Sequence, residues 1–212
     1  VVLTAVATGW TECLALAFRT QEAVVQALDR VRRLLPFPLV GLDTDNGGEF
    51  LNAELIAYCA REEITFTRGR AYKKNDQCYV EQKNGSIVRQ LVGYDRFEGE
   101  QAYRQLAALY RAVRLYVNGF QPSMKLRAKH REGSRVQRTY DTAQTPLQRL
   151  LAADVVSAEA GARLRALFEA LDPLRLLHQV ETLQDALWRH AIHAPVELAG
   201  RPLGPTARFR ST

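Results

Sequence analysis

Hydrophobic and polar positions alternate between two periods along this chain. Residues 1–6 and 10–18 are rich in β-branched and apolar side chains and flank a turn at Ala7-Thr8-Gly9. They read as two strands. Trp10 and Phe18 belong on the packed face of that sheet. From Thr20 the period lengthens: Ala23, Val24, Ala27, Leu28, Val31, Leu34 and Leu35 recur at helical spacing, with Thr20 as cap and Pro36 as stop. Residues 39–43 form a short apolar run of the kind buried in a sheet covered on both faces.

The same alternation continues downstream. Phe50, Leu51, Leu55, Ile56 and Cys59 predict a helix over 49–62, and Ile64-Thr65-Phe66-Thr67 a further strand. Residues 68–77 read as a basic loop, followed by a helix from 78 or 79 to about 92 and a longer one over 97–117. Strand pair, helix, strand, helix, strand, helix, helix predicts an α/β fold: a mixed sheet of at least four strands flanked by helices.

The pattern changes after Asn118-Gly119. Between 121 and 138, Lys125, Arg127, Lys129, Arg131, Arg135 and Arg138 face a single acid, Glu132, and hydrophobic spacing is poor. The expectation is a basic linker or loosely ordered arm over 119–146. Helical patterns return over 147–193, where leucines such as Leu164, Leu176 and Leu187 supply a small core of their own. The proline-containing tail, 194–212, reads as disordered. The domain organisation expected is thus a core over 1–118, the arm, a helical region and a tail.

Composition adds little to this. The 212 residues carry a net charge of +6 with 47% hydrophobic content, ordinary for a globular chain that can bury a core. Cys13, Cys59 and Cys78 contain no C-x-x-C pair, which argues against a disulfide framework or a cysteine zinc site and fits a reducing compartment. No apolar run approaches a membrane span and no signal peptide is visible, so a cytoplasmic protein without membrane contact is expected. The chain opens on Val1 in mid-strand and its one methionine is Met124, which predicts a fragment.

The candidate chemistry lies in Gly41-Leu42-Asp43-Thr44-Asp45-Asn46-Gly47-Gly48-Glu49-Phe50, where an apolar run climbs to two carboxylates and breaks at a glycine pair. In an extended chain Asp43 and Asp45 share a face. Asn46 and Glu49 have the spacing of a capping box for the helix that follows. A further acid, Glu81, lies in the predicted helix after the basic loop, with 35 residues between it and Asp45. Carboxylates on different elements suit hard divalent cations, and two such ions can drive phosphoryl transfer, but that site needs at least three acids. On spacing alone the better explanation is turn and capping acids at Asp43 and Asp45 and a solvated helix residue at Glu81.

The surrounding residues narrow the choice. Thr44-Asp45-Asn46-Gly47-Gly48-Glu49-Phe50 resembles the T-D-N-G-x-x-F signature of retroviral integrases and related insertion-sequence transposases. Ala7-Thr8-Gly9-Trp10-Thr11-Glu12 is similar to the turn between that family's second and third strands. Tyr79-Val80-Glu81-Gln82-Lys83-Asn84 resembles its glutamate-bearing helix, and the 35-residue gap is the family's own. Residues 121–126 and 140–146 look more narrowly like bacterial insertion-sequence transposases. The resemblance implies a ribonuclease-H-like sheet, with Asp45 and Glu81 as the second and third metal-binding acids and two Mg²⁺ or Mn²⁺ ions in the complete protein. It also implies Asn84 near DNA.

In that family the first acid lies on a strand upstream of the turn. Glu12 and Asp29 are the nearest acids here, one on the wrong strand and one in a helix, so the chain as it stands is expected to be inactive. The partners implied are transposon ends and target DNA, with a homo-oligomer holding both ends. Lys73, Lys74, Lys83 and Arg89 are candidate phosphate contacts alongside the six cations of the arm; a solvated face explains the first four as well. Two alternatives stay open: a non-catalytic DNA-binding remnant of a decayed mobile element, and a ribonuclease-H-like nuclease outside transposition.

Overall fold

A computed structural model describes residues 1–18, 20–44, 53–68 and 84–192, with backbone alone for 84–86. The first two strands, β1 (Val2–Thr4) and β2 (Thr11–Cys13), form an antiparallel ladder pairing Leu3 with Glu12 and Thr4 with Thr11. Gly9 closes the turn at φ 79°, a left-handed angle that favours glycine. Helix α1 (Gln21–Leu34) starts at Thr20, whose Oγ1 accepts from the Ala23 amide at 3.2 Å. Of the stripe that the spacing predicts it buries Val24, Ala27, Leu28 and Val31 but leaves Leu34 exposed, and it stops just before Pro36.

Next come β3 (Gly41–Thr44), α2 (Ala53–Arg61) and β4 (Thr65–Arg68). β3 and β4 pair in parallel, with Asp43 opposite Thr67, and α2 lies between them in the chain, as a parallel connection requires. Val24, Leu28, Leu55, Tyr58, Cys59 and Ile64 make the core beneath this unit, and Leu3, Leu42 and Phe66 pack against it.

Three expectations change here. The strand over 39–43 is not buried on both faces: Val40 is 70% exposed and β3 is buried only at Thr44. Nor do the strands join into one sheet of four or more; every ladder among the described residues has two strands. Leu3 of β1 and Leu42 of β3 cover one core, yet no hydrogen-bonded ladder joins their strands, and a run paired on one side only keeps an open edge. Phe18, expected on the packed face, is 74% exposed, because β2 already ends at Cys13.

The spine of the second core is α3 (Gly99–Phe120), about 33 Å long at 1.5 Å per residue. It lies against β2, where Asn118 accepts from the Thr11 amide and donates to the Thr11 carbonyl, both at 2.8 Å. One helix side chain thus takes the place of a neighbouring strand at that edge. Two short strands, β5 (Arg96–Phe97) and β8 (Ala191–Ile192), pair near the start of α3.

Helices α4 (Pro146–Ala152), α5 (Ala158–Glu169) and α6 (Pro173–Trp188) are the last helices among the described residues. They form no separate core. Leu176, Val180 and Leu187 of α6 join Ile87, Leu91, Leu109 and Val113 in one cluster, while Leu150 and Phe168 close over Trp10. The expected boundary at 118–119 falls inside α3. A Cβ on Gly119 would come within 2.4 Å of the Phe168 ring, so the glycine is what lets α5 approach.

The basic segment is ordered. β6 (Leu126–Glu132) and β7 (Arg135–Tyr140) form an antiparallel hairpin in place of the loosely ordered arm that the poor hydrophobic spacing predicts. All its strand residues are exposed, so no apolar stripe marks it. No helix among the described residues is long and apolar enough to cross a membrane.

Candidate functional site

β3 carries the acidic stretch to the carboxyl end of the parallel pair, the place where open α/β sheets bind ligands. Asp43 is exposed there and accepts a hydrogen bond from Thr67 Oγ1 at 2.8 Å across the ladder. Thr44 turns inward, and its Oγ1 is buried without a hydrogen-bond partner among the described residues. Asp45 follows directly in sequence, but Asp45, Glu81, Lys73, Lys74 and Lys83 lie outside the described residues, as does the capping pair Asn46 and Glu49. Among the described residues no group of histidine, cysteine and carboxylate side chains could hold a metal.

The helix downstream of Glu81 is described from a π-helical turn, Asn84–Arg89, onward. Ile87, Leu91 and Val92 are buried against α3 and α6. Gln184 of α6 donates through Nε2 to the Leu91 carbonyl at 2.9 Å and the Gln90 carbonyl at 3.3 Å, satisfying helix-terminal acceptors. The C-terminal helices therefore hold the segment that follows the candidate glutamate. Arg89 is exposed with its guanidinium 5.6 Å from the Tyr94 ring centre.

Neither acid nearest in sequence substitutes for an upstream one. Glu12 has no exposed surface and pairs with Arg114 of α3, at 2.6 Å from Oε2 to Nε and 2.9 Å from Oε1 to a terminal nitrogen. Trp10 Nε1 donates to it at 2.9 Å. Burial pushes the Glu12 carboxyl above its ordinary range, and the Arg114 charge and these hydrogen bonds oppose that shift. Asp29 pairs with Arg33 one turn along α1.

The hairpin separates the six arm cations. Lys125 sits at its base, with its ammonium donating to the Val6 carbonyl at 2.6 Å and the Ala7 carbonyl at 2.5 Å in the β1–β2 turn. Arg149 of α4 grips the same base, donating to Asp141 at 2.6 and 3.1 Å and to the Ser123 carbonyl at 2.7 Å. Those hydrogen bonds, with that from the Lys125 amide, hold the Asp141 carboxyl down at about 2. Arg127, Lys129, Arg131, Arg135 and Arg138 lie on the exposed ribbon beyond.

Sequence reasoning missed this anchor. Its one local signal is Thr145-Pro146-Leu147-Gln148, which the structure shows as a capping box that starts α4 and so orients Arg149.

No family model matches the chain. It is 51% identical over 148 residues to a protein of Sinorhizobium fredii (strain NBRC 101917 / NGR234) named "Uncharacterized protein y4rM". The match covers 70% of this chain and 42% of the relative, so the chain spans less than half the length of the curated relative it matches.

Proposed function

We propose that this chain is part of the catalytic core of a DNA transposase of the integrase type, with a ribonuclease-H-like fold. The observation that carries the reading is the parallel β3–β4 pair, which ends in Thr44 where the Thr44–Phe50 signature begins. The two ladders that share a core through Leu3 and Leu42 are compatible with it.

The donor set is hard oxygen, which suits Mg²⁺ or Mn²⁺. Asp45 and Glu81 would hold the ions in the complete protein together with one acid from outside this chain, because Glu12 is committed to Arg114. Held there, the ions would supply activation of a water or a DNA 3′-hydroxyl and charge stabilisation at the leaving oxygen of a phosphodiester. The rest falls to the chain itself: α3 and α6 fix the helix after Glu81, and the basic ribbon positions DNA. A homo-oligomer that holds two DNA ends, acting in the bacterial cytoplasm, completes the reading.

The test is strand nicking of plasmid DNA with Mg²⁺ or Mn²⁺, by this chain and by a longer one that includes the adjoining upstream segment. Nicking is expected only in the longer protein, and Asp45→Asn or Glu81→Gln should each lower it by more than about a hundredfold. Nicking by the short chain would overturn the assignment of a missing acid. Silence in both, with duplex binding retained, would favour the non-catalytic DNA-binding reading.

A further inference from the structure

The β6–β7 ribbon has two unlike faces. Cross-strand partners share a face and successive pairs alternate, so Lys129–Arg138 and Arg131–Val136 lie on one side. His130–Gln137 and Glu132–Arg135 lie on the other. The first face carries three cations and no acid. On the second, Arg135 stands opposite Glu132 and the charge is balanced. Lys125 belongs to neither, since its ammonium is bound at the β1–β2 turn.

Two features set the cationic face apart from a merely solvated one. Lys129 stands directly opposite Arg138, and like charges so placed destabilise a ladder. An isolated two-stranded hairpin is also marginal in water, and this one has no buried face to stabilise it. What holds it out from the body is the clamp of Asp141, Arg149, Ser123 and Lys125 at its base. Arg131 is steered toward the tip, where its Nε donates to the Gly133 carbonyl at 3.3 Å.

We propose that this ribbon enters a groove of duplex DNA and that Lys129, Arg131 and Arg138 on its cationic face contact the phosphates. The inference rests on the reading of DNA as the partner and deepens it by assigning the contact to one face. A two-stranded ribbon has the girth that a major groove about 12 Å wide admits, and strands of this length reach roughly 20 Å. Single strands are held by stacking on aromatic rings, and the one Phe, Tyr or Trp of the ribbon is Tyr140, at its base. The contacts are to phosphate and carry no sequence preference.

The test is fluorescence anisotropy of a short mixed-sequence DNA duplex, and of its single strand, titrated with this chain across about 50–200 mM salt. The triple variant Lys129→Ala/Arg131→Ala/Arg138→Ala should bind the duplex roughly ten- to a hundredfold more weakly at the low-salt end, with a salt slope shallower by about 2.7. The opposite-face variant His130→Ala/Gln137→Ala/Thr139→Ala should keep both affinity and slope. Lys129→Glu, which sets an acid opposite Arg138, should weaken duplex binding while its melting temperature holds or rises; a purely structural role would move the two together. An unchanged slope in the cationic-face variant, equal losses from both faces, or tighter binding of the single strand would each overturn the proposal. Absence of duplex binding by the parent chain at low salt would overturn the DNA reading along with it.

Discussion

At Glu12 a carboxylate with no exposed surface meets a guanidinium 102 positions along the chain, and the pair joins β2 to α3. Removing one partner of such a pair strands the other charge out of water. Arg114→Ala should therefore cost about 3–5 kcal/mol in denaturant unfolding at neutral pH. The sign of the pH dependence follows from the direction of the Glu12 shift. A carboxyl whose folded pKa lies above its unfolded value binds its proton more tightly when folded, so protonation favours the fold as pH drops. Losing Arg114 raises that folded pKa further. The deficit of the variant should shrink as pH falls through the folded Glu12 pKa; a deficit constant across pH would show that the guanidinium acts only by packing.

The ribbon is an element whose position depends on its base more than on its own ladder. Asp141 is the hub, bonded to Arg149 and to the Lys125 amide, with its pKa lowered from 3.8 to about 2. A lowered carboxyl pKa contributes stability that is fully present above the unfolded value and is lost as pH falls through the folded one. The anchor should thus hold above about pH 4 and release between there and pH 2. Thermal melts of the parent and Asp141→Asn should differ at neutral pH and converge over that window. If the two curves stay parallel down to pH 2, Arg149 is not what perturbs Asp141.

At the scale of the whole molecule, the described C-terminal helices belong to the same cores as the rest of the chain. α6 lies in the same cluster as α3 and the helix after Glu81, and Phe168 of α5 stacks edge-on to Trp10 with ring centres 6.1 Å apart. A chain ending before α4 would expose Trp10, Leu109 and Val113 together. By circular dichroism the full chain should melt in one cooperative thermal transition and the truncated chain should show none. A truncated chain melting at the parent temperature would make 147–193 an independent unit after all.

Much of the element plan was legible because it is local. Thr20 caps α1, Ser157 caps α5 and Pro173 opens α6, each beside a helical stripe, so propensity and periodicity agree. The strands before and after α2 were legible for a similar reason, as short apolar runs on either side of a helical stripe, and both are present as β3 and β4. The hairpin was not legible, since both its faces are exposed and period-two alternation of hydrophobicity never appears. Nor was the boundary at Gly119, where a shift in composition coincides with a helix running on to Phe120.

The amino-acid sequence by itself determined where α1, α5 and α6 start, which residues could carry charge, and that 35 residues lie between Asp45 and Glu81. Each of these depends on neighbours within a few turns or on counting along the chain. Only the tertiary structure decided which charges are committed: Glu12 to Arg114, Lys125 to the β1–β2 turn, Asp141 to Arg149. It also decided that the leucines of α6 belong to the core of α3 rather than to one of their own. Burial and pairing arise between residues more than a hundred positions apart, and no local pattern encodes which of several equal cations or leucines will meet a given partner.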